Sequence, residues 1–249
     1  MNAIRTRNLA PPRLKVRGFS LIELSVAMVI ALFLLGGMLT LLQDTRRTTT
    51  DQSQLAQLQD EERVAMTMIT DTIQQAGYYA NPESTNVSAA LPADSSFAVG
   101  QAVTGTTGGA YGDTVTVRYQ GDSTSSVLDC VGGVIANGTT EEMQFSVQAD
   151  AHSNLRLVCT INGTATPLVS NVQSLTIEYG VDVSGTGSVS AYLPASSMTS
   201  AYWSSVDSVK ITVVLGNPYA GQADQSSTIA FTRVIGVMSK TGVNVLNFT

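Results

Sequence analysis

Apolar and polar residues divide the chain into three parts with different periodicity. Residues 24–42 form an apolar run of about nineteen residues without a charged side chain. At roughly 1.5 Å per residue, a helix of that length spans most of a hydrocarbon core of ~30 Å. The run therefore predicts a membrane-spanning helix over residues 19–43.

The second part, residues 44–77, keeps the helical period but becomes amphipathic, and Gly77 is a suitable C-cap for it. We expect one long helix from Phe19 to Ala76 whose second half lays an apolar stripe on a globular domain. The alternative is two helices divided at Gly36-Gly37. The apolar positions of the stripe are Leu55, Leu58, Ala65, Met66, Ile69, Ile73 and Ala76.

The third part, residues 78–249, is predicted to be a β-rich domain. Alternation with a period of two replaces the helical period after residue 112, and Asn162-Gly163 is a hairpin signal. A register change is expected near Val234, and Trp203 is expected to cover the core. About seven strands are predicted, at 114–120, 127–131, 143–147, 155–161, 175–179, 209–215 and 229–237.

The remaining segments of this part show little periodicity. Residues 78–112, the linkers 180–205 and 216–227, and the tail from Ser239 are expected to be irregular. One long helix followed by many short strands predicts an α+β fold, in which the N-terminal helix packs on an antiparallel β-sheet.

A basic segment, residues 1–18, precedes the apolar run and contains five of the 13 basic residues but no acidic residue. Its charge predicts that the N-terminus stays in the cytoplasm and that the domain lies outside the inner membrane. Without this segment the chain has 8 basic residues against 19 acidic ones, a net charge of −11. A chain this acidic is unsuited to binding a nucleic-acid backbone.

Cys130 and Cys159 are the two cysteines, and both lie in the exported part. An oxidising compartment favours a disulfide between them. Closing a loop of about 30 residues stabilises a fold by roughly 3–4 kcal/mol in the chain-entropy description.

The basic segment ends in the motif Arg17-Gly18-Phe19-Ser20-Leu21-Ile22-Glu23-Leu24. An unpaired carboxylate at the position of Glu23 costs roughly 2.5–3.5 kcal/mol on membrane-insertion scales, so it is expected to have a partner. The basic leader, the Gly-Phe pair, the Glu spacing and the apolar helix together resemble the class III prepilin signal of the type IV pilin superfamily. A plain signal-anchor helix is the alternative.

This resemblance implies three roles. Prepilin peptidase would cut after Gly18 on the cytoplasmic face, and the new N-terminal amine of Phe19 would be methylated. Glu23 would then pair with the Phe19 amine of a neighbouring subunit in a filament.

The domain also carries a resemblance. Residues 62–78, the stretch Leu168 to Gly180 and the stretch Trp203 to Ile211 are similar to PilW-type minor pilins. The J-type pseudopilins of type II secretion share the general layout.

No catalytic, cofactor or metal site is predicted. The motifs H-E-x-x-H, G-x-S-x-G and G-x-x-x-x-G-K-[ST] do not occur. His152, the single His, lies in a loop-like stretch, and Asp182 and Asp207 are not spaced as calcium ligands.

The resemblance implies a structural, non-enzymatic minor pilin of a type IV pilus, in a minor-pilin complex that primes assembly and sits at the tip. Its partners would be prepilin peptidase, the other minor pilins, the major pilin and, before assembly, inner-membrane lipid. We expect a single-pass inner-membrane protein with a periplasmic domain that reaches the pilus and cell surface on assembly. The alternatives are a J-type pseudopilin, a membrane-anchored periplasmic enzyme, and an adhesin that uses the 180–205 loop.

Overall fold

The computed structural model describes residues 18–123 and 127–241. Its helices are α1 (Leu21–Gln74), α2 (Val87–Ala90), α3 (Ser200–Trp203) and α4 (Met238–Thr241), with a 3₁₀ turn at Ala195–Ser197. The strands are β1 (Val103–Gly109), β2 (Gly112–Gln120), β3 (Thr140–Ala149), β4 (Leu155–Ile161), β5 (Thr164–Ser170), β6 (Val172–Val181), β7 (Ala191–Pro194), β8 (Val206–Gly216) and β9 (Thr228–Gly236). The predicted α+β fold with one long N-terminal helix is confirmed.

The chain divides into a unit that ends at Ser53 and a unit that begins at Gln54. Gly36 and Gly37 lie inside α1, so the alternative of two helices divided at this pair is wrong. The boundaries predicted at residues 18, 43 and 77 remain predictions. Of the predicted leader 1–18, all residues except Gly18 lie outside the described part of the chain.

The strands form one sheet in the order β5-β4-β3-β2-β6-β8-β9, with β1 paired to β2 and β7 paired to β6. The strand pairs are antiparallel, as predicted, except that β2 and β6 join in parallel through Gly112 and Leu175 alone. Gly112 is required there, because a Cβ on this residue would overlap the backbone of Leu175. The buried Asp113 carboxylate strengthens the join by accepting the N–H of Ile177 at 2.8 Å, and it also accepts the N–H of Gly108 in β1 at 3.0 Å.

The core of the second unit lies between the C-terminal part of α1 and one face of the sheet. Successive strand residues point to opposite faces, so alternate residues of the central strands meet the helix. The buried residues of α1 in this core are Leu58, Ala65, Met66, Ile69 and Ile73. They are members of the apolar stripe predicted from the sequence. Trp203 packs edge-on against Tyr179, with 4.7 Å between ring centroids, so its predicted position over the core is confirmed.

Helix α1 ends at Gln74, two residues before the expected Ala76, and a turn leads on to Gly77. Its φ of +79° lies in the left-handed region that favours glycine, and its N–H donates to the carbonyl of Arg118 at 2.9 Å. The hairpin predicted at Asn162-Gly163 also forms, between β4 and β5. Both residues have positive φ, +50° and +79°, as a two-residue turn of this kind requires.

The strand predicted at residues 127–131 is wrong. Only an isolated bridge between Leu128 and Val134 forms there. The Asp129 Oδ1 atom accepts the N–H groups of Val131 and Gly133, each at 2.8 Å. These bonds fold the segment into a tight turn, so its backbone does not form the hydrogen-bond ladder of a strand.

The register change predicted near Val234 is also wrong. The pairing of β8 with β9 runs without interruption from Gly216–Thr228 to Ser208–Gly236. The apolar alternation is broken only because Arg233 occupies one position of the helix-facing row, from which its Nη1 donates to Thr70 Oγ1 at 3.3 Å.

Three segments expected to be irregular contain regular structure. Residues 78–112 include α2 and β1, the 180–205 linker includes β7 and α3, and α4 lies at the start of the predicted tail. Six of the seven predicted strands form, and β1, β5 and β7 bring the number of strands in the described residues to nine.

Candidate functional site

The prepilin-like motif lies at the start of α1. Gly18 and Phe19 are exposed and precede the helix, which begins at Leu21. Apart from its chain neighbours, no described residue has an atom within 4 Å of the place that a Cβ on Gly18 would take. The described residues therefore leave space for a side chain at this position.

Glu23 lies in the first turn of α1, where a negative charge is favoured by the helix dipole. Its side chain is exposed, and no hydrogen bond or ion pair from the described residues reaches it. The carboxylate is therefore available to a group outside this part of the chain.

The apolar run of α1 is exposed along its whole length. This helix is long and apolar enough to cross a membrane, the one such helix among the described residues. Exposed apolar area of this extent calls for a bilayer or other apolar helices as its surroundings. The large exposed side chains are Phe19, Leu21, Ile22, Leu24, Val26, Met28, Val29, Ile30, Leu32, Phe33, Leu34, Leu35, Met38, Leu39, Leu41 and Leu42.

The domain carries the predicted disulfide between Cys130 and Cys159, whose Cα atoms lie 6.4 Å apart. This disulfide links the turn around Asp129 covalently to β4. A hydrogen bond also holds this turn, because the hydroxyl of Tyr119 donates to the carbonyl of Leu128 at 2.7 Å. Burial raises the pKa of Tyr119, so the hydroxyl stays protonated and keeps this donor.

Arg118 of β2 is the most deeply buried charged side chain in the described part of the chain, and sequence analysis gave it no role. It is 1% exposed and lies over the ring of Phe97, 4.6 Å from its centroid. Its Nη1 donates to a carboxylate oxygen of Asp94 at 2.7 Å. Its remaining donors reach the carbonyls of Leu91, Pro92, Ala98 and Gln101.

These contacts hold the segment between α2 and β1 on the face of the sheet opposite α1. Burial lowers the pKa of Arg118, and the carboxylates of Asp94 and Glu142 partly offset this effect. Burial also raises the pKa of Glu142, with the Asp94 charge adding to the shift. The one signal in the sequence was a lone Arg within the apolar alternation of a predicted strand.

The polar residues considered for chemistry lie apart. His152 is exposed in a turn, where its N–H donates to Asp150 Oδ1 at 2.8 Å. Hydrogen bonds from the backbone, that of Gly187 foremost, lower the pKa of Asp182 to about 2. Asp207 forms part of β8. The described residues contain no group of three or more His, Cys, Asp and Glu side chains that could hold a metal ion.

Two protein-family models match the chain. Residues 13–39 match the prokaryotic N-terminal methylation motif, and residues 144–241 match type IV pilus-assembly protein W. The second match runs from within β3 to the end of α4 and does not include β2. No significant match was found among curated proteins or among solved structures.

The methylation motif, the apolar helix and the β-domain define a protein of the type IV pilin class. Within that class the domain is of the PilW type, which confirms the identification made from the sequence. The chain is thus a pilin-like protein associated with the type IV pilus. Its prepilin signal implies processing by prepilin peptidase and assembly with other pilins, and indicates an inner-membrane anchor with a periplasmic domain.

Proposed function

We propose that this protein is a structural minor pilin of a type IV pilus. It joins other minor pilins in a complex that primes pilus assembly and sits at the tip. The observation that carries the proposal is the combination in one chain of a methylation motif, an exposed apolar helix and a PilW-type domain. The described residues offer no metal cluster, and the pilin class favours a structural role over an enzymatic one.

The proposed mechanism resides in the first turns of the N-terminal helix. Prepilin peptidase removes residues 1–18 and leaves Phe19 at the N-terminus. Methylation keeps the positive charge of the Phe19 amine, so the amine still attracts the Glu23 carboxylate of a neighbouring subunit in apolar surroundings. This pairing sets the register between subunits. The protein leaves the inner membrane on assembly and becomes part of the pilus at the cell surface.

The function is tested in cells that produce type IV pili. Deletion of the gene should reduce the number of surface pili, and the full-length chain should restore it. Tagged protein purified from the envelope should begin at Phe19 and should bring other minor pilins with it. Normal piliation without the gene, or co-purification of secretion pseudopilins in place of pilins, would contradict the proposal.

A further inference from the structure

Strand β9 ends the sheet, and its outer side is unpaired among the described residues. The antiparallel pairing with β8 fixes which backbone groups face outward. Val237 N–H donates to Asp207 at one end of the ladder and Asn217 N–H donates to Ser227 at the other, each at 2.9 Å. Hydrogen-bonded pairs alternate with non-hydrogen-bonded pairs in such a ladder. The odd-numbered residues of β9 therefore bond to β8, and the even-numbered residues direct their N–H and C=O groups away from the sheet.

The side chains of this outward row leave the edge open to another strand. Ala230, Thr232 and Val234 are exposed, uncharged and small or β-branched, and Val234 is 54% exposed. Arg233 is the one charged residue of β9, and it belongs to the opposite row, where it reaches Thr70 of α1. The side chains of the even-numbered residues share one face of the sheet, and none of them is charged.

The opposite edge of the sheet is protected. Pro167 lies within β5 and lacks an N–H group, and the register between β4 and β5 shifts between Leu157 and Val158. Proline and bulges are the devices by which sheets prevent the addition of further strands. Strand β9 is longer than β5, pairs with its neighbour without a shift, and contains no proline. One edge of the same sheet is thus closed and the other is open.

We propose that the β9 edge binds an extended strand of a neighbouring pilin of a different kind, which continues the sheet by backbone hydrogen bonds. This inference rests on the proposed function. A second copy of this chain is disfavoured as the occupant because two processed chains, each with a net charge of −11, repel one another. The occupant must offer a free strand edge of four or more residues with uncharged side chains opposite Val234.

The first experiment compares two changes at Val234 with a matched control in the full-length chain. Val234→Pro removes an outward N–H and no bond to β8, and Val234→Lys places a charge on the edge. Val99→Lys makes the same charge change at a loop valine that is also 54% exposed. Val234→Pro should lower the yield of co-purified pilins about tenfold, as expected for the loss of one to two backbone hydrogen bonds. Val234→Lys should lower it by a similar factor, because the added strand would bring its uncharged side chains against a lysine charge. Val99→Lys should leave the yield unchanged.

Folding is checked in each variant by the presence of the Cys130–Cys159 disulfide. A photo-cross-linking amino acid at Ala230 then identifies the occupant. Cross-links to another pilin support the inference. Cross-links to a second copy, or to residues 242–249 of the same chain, would overturn it, as would wild-type yields with both Val234 variants. Failure of the wild-type protein to bring down any pilin would instead refute the proposed function, and the edge inference with it.

Discussion

At the scale of single residues, Arg118 shows how one side chain fixes a segment that has little regular structure of its own. The loop between α2 and β1 supplies mainly backbone carbonyls, and the guanidinium gathers four of them together with the Asp94 carboxylate. Five N–H donors in a rigid plane make Arg suited to this task, whereas Lys has three donors at a single point. One residue of β2 thus supplies five hydrogen bonds to this segment.

We predict that Arg118→Met destabilises the protein by roughly 3 kcal/mol, because it leaves buried carbonyls without donors. Asp94→Asn should cost only about 1 kcal/mol, since the Asp94 side chain is partly exposed and the carbonyl contacts of Arg118 remain. Denaturation of the detergent-solubilised chain, followed by the fluorescence of the single Trp203, measures both losses. Equal losses would mean that the ion pair, rather than the carbonyl contacts, carries the stabilisation.

Glu142 gives a prediction of pH dependence. Burial and the Asp94 charge raise its pKa above the ordinary value of 4.5, so its ionisation is less favourable in the folded than in the unfolded protein. Its contribution to stability is therefore greatest below pH 4.5 and is lost as the pH rises through the folded pKa. Glu142→Gln should raise the free energy of unfolding near neutral pH and leave it unchanged below pH 4.5. Denaturation followed by Trp203 fluorescence, near neutral pH and below pH 4.5, measures this difference. An equal effect of the substitution at both pH values would exclude ionisation of Glu142 as the cause.

The residues of the prepilin-like motif could be identified from the sequence because their spacing is local. Gly18, Phe19 and Glu23 lie within six positions of one another. The role of Arg118 could not be identified, because its partners lie 17 to 27 residues earlier in the chain, in a segment without periodicity. Asp113 was missed for the same reason, since it bonds to Ile177 across a join that no local pattern encodes.

At the scale of elements, prediction succeeded where burial on one face imposes a clear period. Strand β8 was predicted because its buried residues alternate from Val209 to Leu215. The apolar stripe of α1 was predicted because its apolar residues recur at spacings of three and four residues. Short elements such as β7 were missed because they lie in Ser-rich and Gly-rich sequence and form only by pairing with longer strands. The segment 127–131 was misassigned because the side chain of Asp129 competes with the ladder for backbone donors.

The disulfide links this turn to β4 and closes a loop with a sequence separation of 29 residues. We predict that Cys130→Ser together with Cys159→Ser lowers the free energy of unfolding by about 3 kcal/mol. The strands of the sheet should persist, because both cysteines lie beside a core that many other side chains share. Circular dichroism of the variant checks the strands and denaturation checks the loss. A variant that does not fold would show that the disulfide is required to form the sheet.

At the scale of the whole molecule, the chain combines parts with opposite requirements for their surroundings. The apolar run of α1 is fully exposed and needs lipid or other apolar helices, whereas the domain encloses its own core. The domain should therefore persist through the proposed transfer from bilayer to filament, during which the surroundings of the apolar run change. Glu23, which directly precedes the apolar run, is affected most by that transfer, because a partner for its charge must be supplied by the new surroundings.

We therefore predict that Glu23→Ala impairs assembly but not folding, processing or membrane insertion. The carboxylate finds no partner among the described residues, so its removal breaks no contact of the domain, and loss of a charge favours residence in the bilayer. The N-terminus should still be Phe19 and the protein should remain in the membrane fraction.

The yield of other pilins cross-linked to the chain should fall at least about tenfold, the change expected when an ion pair in apolar surroundings loses one partner. Asp44→Ala is the matched control, because it removes an exposed acidic residue of α1 just beyond the apolar run. It should retain the wild-type yield. Glu23→Gln separates charge from size, since it keeps the shape of the side chain but carries no charge to form an ion pair with the amine. Wild-type yields with both Glu23 variants would show that the register between subunits is set by apolar packing of the helices alone.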